Sequence, residues 1–276
     1  MKHVRATFKI LFTVLYTGTI CAIYLILLIP ATLFGIPYEP LRNFFMSFWS
    51  RGMLLVFNVK KTVSGEPPKP PFFLVSNHLS YLDVIVYYSI LKTTFIAKMD
   101  VKSWPVLGFL IKSMGVIFID RKRRRDVQRV NKMISSNLNS FQGIILFPEG
   151  TTSPGETVLP FRAPLLEFPA SNDIPVHYAS IRYDTGDDDI PAYRSVCWWG
   201  EADFFQHLYN LAKLKKIKSE VIFGAESIHE NDRKLLASSL YKSVNNSFRA
   251  MARPGEVAEY NPPEFLSGIG NERKSV

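Results

Sequence analysis

The chain has 276 residues, 47% of them hydrophobic and 13% aromatic, which suffices for the core of one large domain or two small ones. Its 33 lysines and arginines against 24 acidic residues give a net charge of +9 and pI near 9.4, pointing to an anionic partner: nucleic acid, lipid headgroups or a phosphorylated substrate. Two cysteines, Cys21 and Cys197, exclude a disulfide framework and a cysteine-based metal site, and fit a reducing compartment.

Residues 10–38 carry no charge, and Lys2, Arg5 and Lys9 stand in front of them. A bilayer takes about 20 apolar residues as a helix, so 10–29 is long enough. The stretch is too long for a secretory signal and lacks a small-x-small cleavage site. Pro30, Gly35 and Pro37 predict a break. Residues 41–59, rich in Phe44, Phe45, Phe48, Trp49, Leu54 and Phe57 but interrupted by Arg42 and Arg51, predict an amphipathic interfacial helix. Lys60 and Lys61 come next. With both basic ends on the cytoplasmic side the pair is a hairpin dipping into one leaflet, the alternative being a single crossing. In either case the rest of the chain is expected on the cytoplasmic face. The hairpin is thus expected over residues 1–61 and a stiff Pro-rich linker over 62–71, where Glu66 is followed by four prolines around Lys69. A globular part is expected over 72–253, and a flexible tail over 254–276.

Within the globular part, apolar runs of strand length alternate with helical patterns. Strands are predicted at 72–76, 94–97, 115–119, 143–147, 175–182, 195–199 and 220–223. Helices are predicted at 80–91, 104–113, 203–214 and 232–252. The clearest follows Arg125, with Val127, Val130, Ile134, Leu138 and Phe141 at helical spacing. The alternation predicts an α/β fold with a mixed, largely parallel sheet flanked by helices, behind an N-terminal two-helix membrane-embedded motif.

Three strand ends carry polar chemistry. The first reads Ser76-Asn77-His78-Leu79-Ser80-Tyr81-Leu82-Asp83, entered by a strand and left by a helix that Ser80 can cap. Five residues turn a regular helix by roughly 140°, so His78 and Asp83 meet only if His78 precedes the helix and folds back over its first turn. The pair then serves as a general base and its orienter. Alternatively, Asp83 only closes a capping box with Ser80. The second strand ends at Asp120-Arg121, followed by Lys122 to Arg125 before a helix. Cations there oppose the helix dipole, and the place attracts anions. Arg121 suits a bidentate phosphate grip, whereas Lys122 to Arg125 read as a solvated face or headgroup contact. The third, Phe147-Pro148-Glu149-Gly150-Thr151, is a turn where glycine lets amides approach a ligand. Parallel pairing would bring all three ends to one edge.

These segments resemble the glycerophospholipid acyltransferase family, typified by 1-acylglycerol-3-phosphate acyltransferases. Asn77-His78 through Asp83 is similar to its first motif, Gly115 through Arg121 to its second, Phe147 to Thr151 to its third and Ile174-Pro175-Val176 to its fourth. The resemblance spans residues 77–183 and the two-helix N-terminus. It implies transfer of an acyl group from a thioester, acyl-CoA or acyl carrier protein, to the hydroxyl of a lysophospholipid, with no cofactor and no metal. His78 would be the base and Asp83 its partner; Lys98 and Arg121 would hold the acceptor phosphate; Glu149, Gly150 and Thr151 would position its glycerol. No serine stands in a Gly-x-Ser-x-Gly elbow, so direct transfer is expected over a covalent route. Arg162, where many members have lysine, and the stretch Trp199 to Phe204 look closer to branches acylating other lyso-lipids, such as lyso-ornithine lipid.

Two other readings compete: a non-catalytic membrane or nucleic-acid adaptor, and a lipid hydrolase. The basic run lacks the interleaved aromatics of base stacking, so no nucleic acid is expected. Asp187 to Asp189 lack calcium-ligand spacing. Lys213, Lys215, Lys216 and Lys218 fit a membrane-facing patch. His177, His207 and His229 have no evident partner in the sequence.

Overall fold

The computed structural model describes residues 1–98, 115–119, 126–187, 189–200, 202–253 and 255–257. The expected helix at 104–113, the basic run 121–125 and nearly all of the tail lie outside the described residues. The N-terminus forms α1 (Lys2–Leu33) and α2 (Tyr38–Val56). Helix α1 runs through Pro30 and stops a turn later, where Gly35 at φ 64° lets the amides of Gly35 and Ile36 return to the carbonyls of Thr32 and Ala31. Glycine, not Pro30, makes the break. Among the described residues α1 is the one helix long and apolar enough to cross a membrane. Phe8, Leu11, Phe12 and Leu15 of α1 and Phe44, Phe48 and Leu55 of α2 are exposed, so the hairpin presents an uncovered apolar face.

Seven strands make one sheet: β1 (Val59–Ser64), β2 (Phe73–Ser76), β3 (Thr93–Lys98), β4 (Ile117–Ile119), β5 (Gly143–Leu146), β6 (Val176–Asp184) and β7 (Ile217–Phe223). Their spatial order is β1-β7-β6-β2-β5-β3-β4. All neighbours pair parallel except β6 and β7. The central β2 is wholly buried, as expected of a strand covered on both faces. Burying each of Phe73, Leu74 and Val75 contributes about 1.5–3 kcal/mol before entropy is subtracted. Leu74, Ile145, Phe147 and Ile181 face one layer, with α3 (Tyr81–Tyr88), α2 and α7 (Phe204–Lys213). Phe73, Val75, Ile144 and Leu146 face the other, against Ile134 of α4 (Asp126–Asn137) and Leu236 and Leu240 of α8 (Arg233–Ser247). Short helices α5 (Glu167–Ser171) and α6 (Ala192–Ser195) complete the described elements, with a 3-10 turn at Ala163–Leu166.

Three expectations need correction. The sheet begins before the proline-rich stretch: β1 crosses the boundary drawn at residue 61/62 and pairs along its length with β7. It escapes a periodicity reading because it is an edge strand with only Val59 buried. Asn58, at φ 53°, ends α2 and turns the chain into β1. The run 195–199 is not a strand. Ser195 ends α6 and 196–199 continue as irregular chain, whose indoles bond locally, Trp198 Nε1 to Ala202 O and Trp199 Nε1 to Tyr193 O, each at 2.8 Å. Arg5 and Lys9, expected as membrane flanks, turn inward. Arg5 donates twice to Lys213 O, and Lys9 donates to Leu214 O at 2.9 Å and Phe57 O at 3.4 Å. Cations there satisfy carbonyls at the C-terminal end of α7 and complement its dipole, so they fasten α1 to the domain.

Candidate active site

The site is assembled where β2 and β5 end. Beyond Ser76, the last ladder residue of β2, the Asn77 side chain takes the place of a strand pair. Its Nδ2 donates to Ile181 O at 2.9 Å and its Oδ1 accepts from Ile181 N at 2.8 Å. The main chain is thereby freed to turn, and His78 leaves the sheet at its carboxyl edge. Ser80 caps α3, accepting from the amide of Leu82, and the reciprocal half of the capping box is closed by Asp83.

Asp83 makes both of the contacts that the sequence leaves as alternatives, to His78 and within the capping box. Its Oδ2 accepts from the amides of Leu79 (2.7 Å) and Ser80 (3.0 Å), and lies 2.8 Å from His78 Nδ1. Its Oδ1 accepts from the hydroxyl of Tyr183 at 2.7 Å. The carboxylate is 0% exposed, whereas the His78 side chain is 19% exposed. The imidazole stacks on Phe147, centroids 4.0 Å apart and planes within 7°. With Nδ1 held by the carboxylate and the ring plane fixed, Nε2 is the nitrogen left to exchange a proton; it has no hydrogen bond among the described residues.

Glu149 comes to the same edge from the end of β5. Its Oε1 accepts the amide of His78 at 3.0 Å, and Ser153 N donates to His78 O at 3.0 Å, so the two turns brace each other. Burial pushes the Glu149 carboxyl up to about 8, against the smaller downward pull of the amides of His78 and Leu159. Glu149 is therefore mostly protonated at pH 7 in the free protein. Gly150, at φ 74°, makes the turn in a conformation that other residues rarely take, and Thr151 is exposed. Lys98 ends β3 at the same edge of the sheet; its side chain, and the whole of Arg121, lie outside the described residues.

Sequence reasoning brings His78, Asp83 and Glu149 together but misses three partners. In the sequence Asn77 is only part of a motif, and Phe147 only the end of a strand. Tyr183 gives no local signal, being 100 residues from Asp83. Two histidines also gain partners. His207 bridges Cys197 O and the Tyr81 hydroxyl, each at 3.0 Å, and burial lowers it to about 4, so it stays neutral. His229 pairs with Asp173 on the surface.

A sequence model of the family described as Acyltransferase matches residues 58–181. The 1-acyl-sn-glycerol-3-phosphate acyltransferase of Neisseria meningitidis is 30% identical over 203 residues, covering 70% of this chain and 76% of that protein. The chain belongs to the glycerophospholipid acyltransferase family. The lyso-ornithine lipid O-acyltransferase of Brucella abortus is 31% identical over 233 residues, covering 79% of this acyltransferase and 85% of the relative. The crystal structure of the 1-acyl-sn-glycerophosphate (LPA) acyltransferase PlsC from Thermotoga maritima shares the fold, with TM-score 0.56 at 20% identity over 89% of this chain and 97% of that one. Membership makes the chain an enzyme of acyl transfer in phospholipid biosynthesis and sets aside the adaptor reading.

Proposed function

We propose that this acyltransferase moves a fatty acyl group from an acyl thioester to the free hydroxyl of lysophosphatidic acid, giving phosphatidic acid. One observation carries the mechanism: an imidazole whose Nδ1 is tied to a fully buried carboxylate, with its other nitrogen unbonded at the sheet edge. An alcohol is a poor nucleophile at pH 7. His78 takes its proton as the oxygen attacks the thioester carbonyl, and Asp83 steadies the imidazolium that forms. The C–S bond then breaks, and the leaving thiolate takes the proton back from His78. The donor is acyl-CoA or acyl carrier protein, no cofactor takes part, and no acyl-enzyme forms. Arg121 and Lys98 hold the acceptor phosphate, while Glu149, Gly150 and Thr151 position the glycerol. The exposed apolar face of α1 and α2 sits in the leaflet that supplies the acceptor, with the catalytic domain on the cytoplasmic side.

A second acceptor has nearly equal support from the relatives, since the Brucella protein named for lyso-ornithine lipid aligns over more of this chain than the Neisseria one. The test uses detergent-solubilised enzyme, a labelled acyl thioester and both lyso-lipids, with His78→Ala alongside. Acylated lysophosphatidic acid that falls by about 10²–10⁴-fold in the variant is the expected result. Acylation of lyso-ornithine lipid alone would move the acceptor and keep the base. Release of free fatty acid without transfer, or an active His78→Ala, would overturn the reading.

A further inference from the structure

Asp83 accepts three of its hydrogen bonds from its own turn, all on Oδ2. The fourth, on Oδ1, comes from Tyr183, and among the described residues it is the one restraint on this carboxylate from another element. It is delivered by strand register. Ser76 pairs with Ala179, the Asn77 side chain bonds both main-chain groups of Ile181, and Tyr183 stands two residues on, facing the same layer. On its other side β6 pairs Tyr183 with Ser219 of β7, so the strand is held on both flanks where the hydroxyl leaves it. Tyr183 is only 2% exposed and cannot reach a substrate. Burial and the charge of Asp83 push its phenol well above the ordinary value, so it is a donor throughout the working pH range.

We propose that Tyr183 is a positioning residue of this acyltransferase: its hydroxyl fixes the Asp83 carboxylate, drains charge from it, and so sets the basicity and aim of His78. The inference rests on the reading of His78 as the base. A phenylalanine would fill the same space, so that substitution removes the hydroxyl and its bond to Asp83 Oδ1 alone. Without it, Oδ1 becomes a buried acceptor with no partner, and the negative charge concentrates on the oxygen that faces His78. The imidazolium is then held more tightly, and the carboxylate that aims His78 is restrained by its own turn alone.

The test is Tyr183→Phe in the full-length enzyme, with kcat and KM measured from pH 5 to 9 on whichever lyso-lipid is accepted. The expected result is a kcat about tenfold lower at pH 7 with KM within about twofold, and an acid limb of kcat/KM moved upward by about half a pH unit. Replacing Tyr183 with 2,3-difluorotyrosine, which keeps the shape and donates more strongly, should move that limb the opposite way even if the phenylalanine variant folds poorly. Limbs unmoved in both variants would overturn the inference and leave Tyr183 as packing. His78→Ala separates the two claims: if it remains active, the base assignment fails, whereas if it is inactive and the limbs stay fixed, only the role of Tyr183 fails.

Discussion

Replacing Glu149 with glutamine should change how stability depends on pH. Glu149 is 2% exposed, its Oε2 makes no hydrogen bond among the described residues, and burial holds the carboxyl at about 8 against an ordinary value of 4.5. The native state thus keeps a proton that the unfolded chain releases, so stability falls as pH rises from about 4.5 to about 8. With those two values, linkage gives a cost of about 1 kcal/mol at pH 5 and about 4 kcal/mol at pH 8, a difference of about 3 kcal/mol. Glutamine has no such titration, and its carbonyl can still accept the His78 amide. Any fixed cost of burying its NH₂ is the same at both pH values and cancels. At about 2–3 °C per kcal/mol for a chain of this size, Glu149→Gln minus parent should gain about 6–9 °C in Tm between pH 5 and pH 8. Thermal unfolding in one detergent across that range reads it directly. Parallel curves for parent and variant would show that Glu149 is ionised in the folded state, and the protonated carboxyl would be refuted.

Two further outcomes test how the site is suspended from the fold. Asn77→Ala removes both bonds to Ile181 and leaves its buried N–H and C=O without partners; it should cost about 2–4 kcal/mol in denaturant unfolding. It should also lower kcat, because the turn bearing His78 loses its anchor; an undiminished kcat would contradict that coupling. A β-carbon at Gly52 of α2 would meet the Tyr16 hydroxyl of α1, which donates to Phe48 O. Gly52→Val should therefore part the two helices and raise proteolytic cutting in the 30–40 region, whereas an unchanged digestion pattern would mean that α1 slides to accommodate it.

The fold is legible in the sequence wherever burial and hydrogen bonding vary together. β2 and β5 are short apolar runs covered on both faces, and their chemistry comes at once in the chain, so His78 and Glu149 stand out. The pattern fails where the two separate. β1 is hydrogen-bonded along its length but barely buried, whereas Val196 and Cys197 are buried without any ladder. Charge patterning fails for a related reason. Arg5 and Lys9 look like membrane flanks because the carbonyls they satisfy, at Phe57, Lys213 and Leu214, belong to distant turns. Tyr183 is the limiting case: its contribution arises from strand register alone, which no local window contains.

One carboxylate links the stability of this site to its proposed chemistry. Asp83 closes the capping box of α3, holds the amides of Leu79 and Ser80, and aims His78 with the same oxygen. Asp83→Ala would therefore lose a helix cap worth about 1 kcal/mol, strand two amides, and release the imidazole, so its lost activity could not be assigned to any one of these. Asp83→Asn is little cleaner. The amide can turn its single carbonyl oxygen either to the turn amides and His78 or to Tyr183, and its NH₂ then opposes a donor on the other side. The separable handles lie one bond away: Tyr183 touches only Oδ1, and His78 can be removed without uncapping α3. Assigning catalysis in this site therefore depends on perturbing the neighbours of Asp83 rather than Asp83 itself.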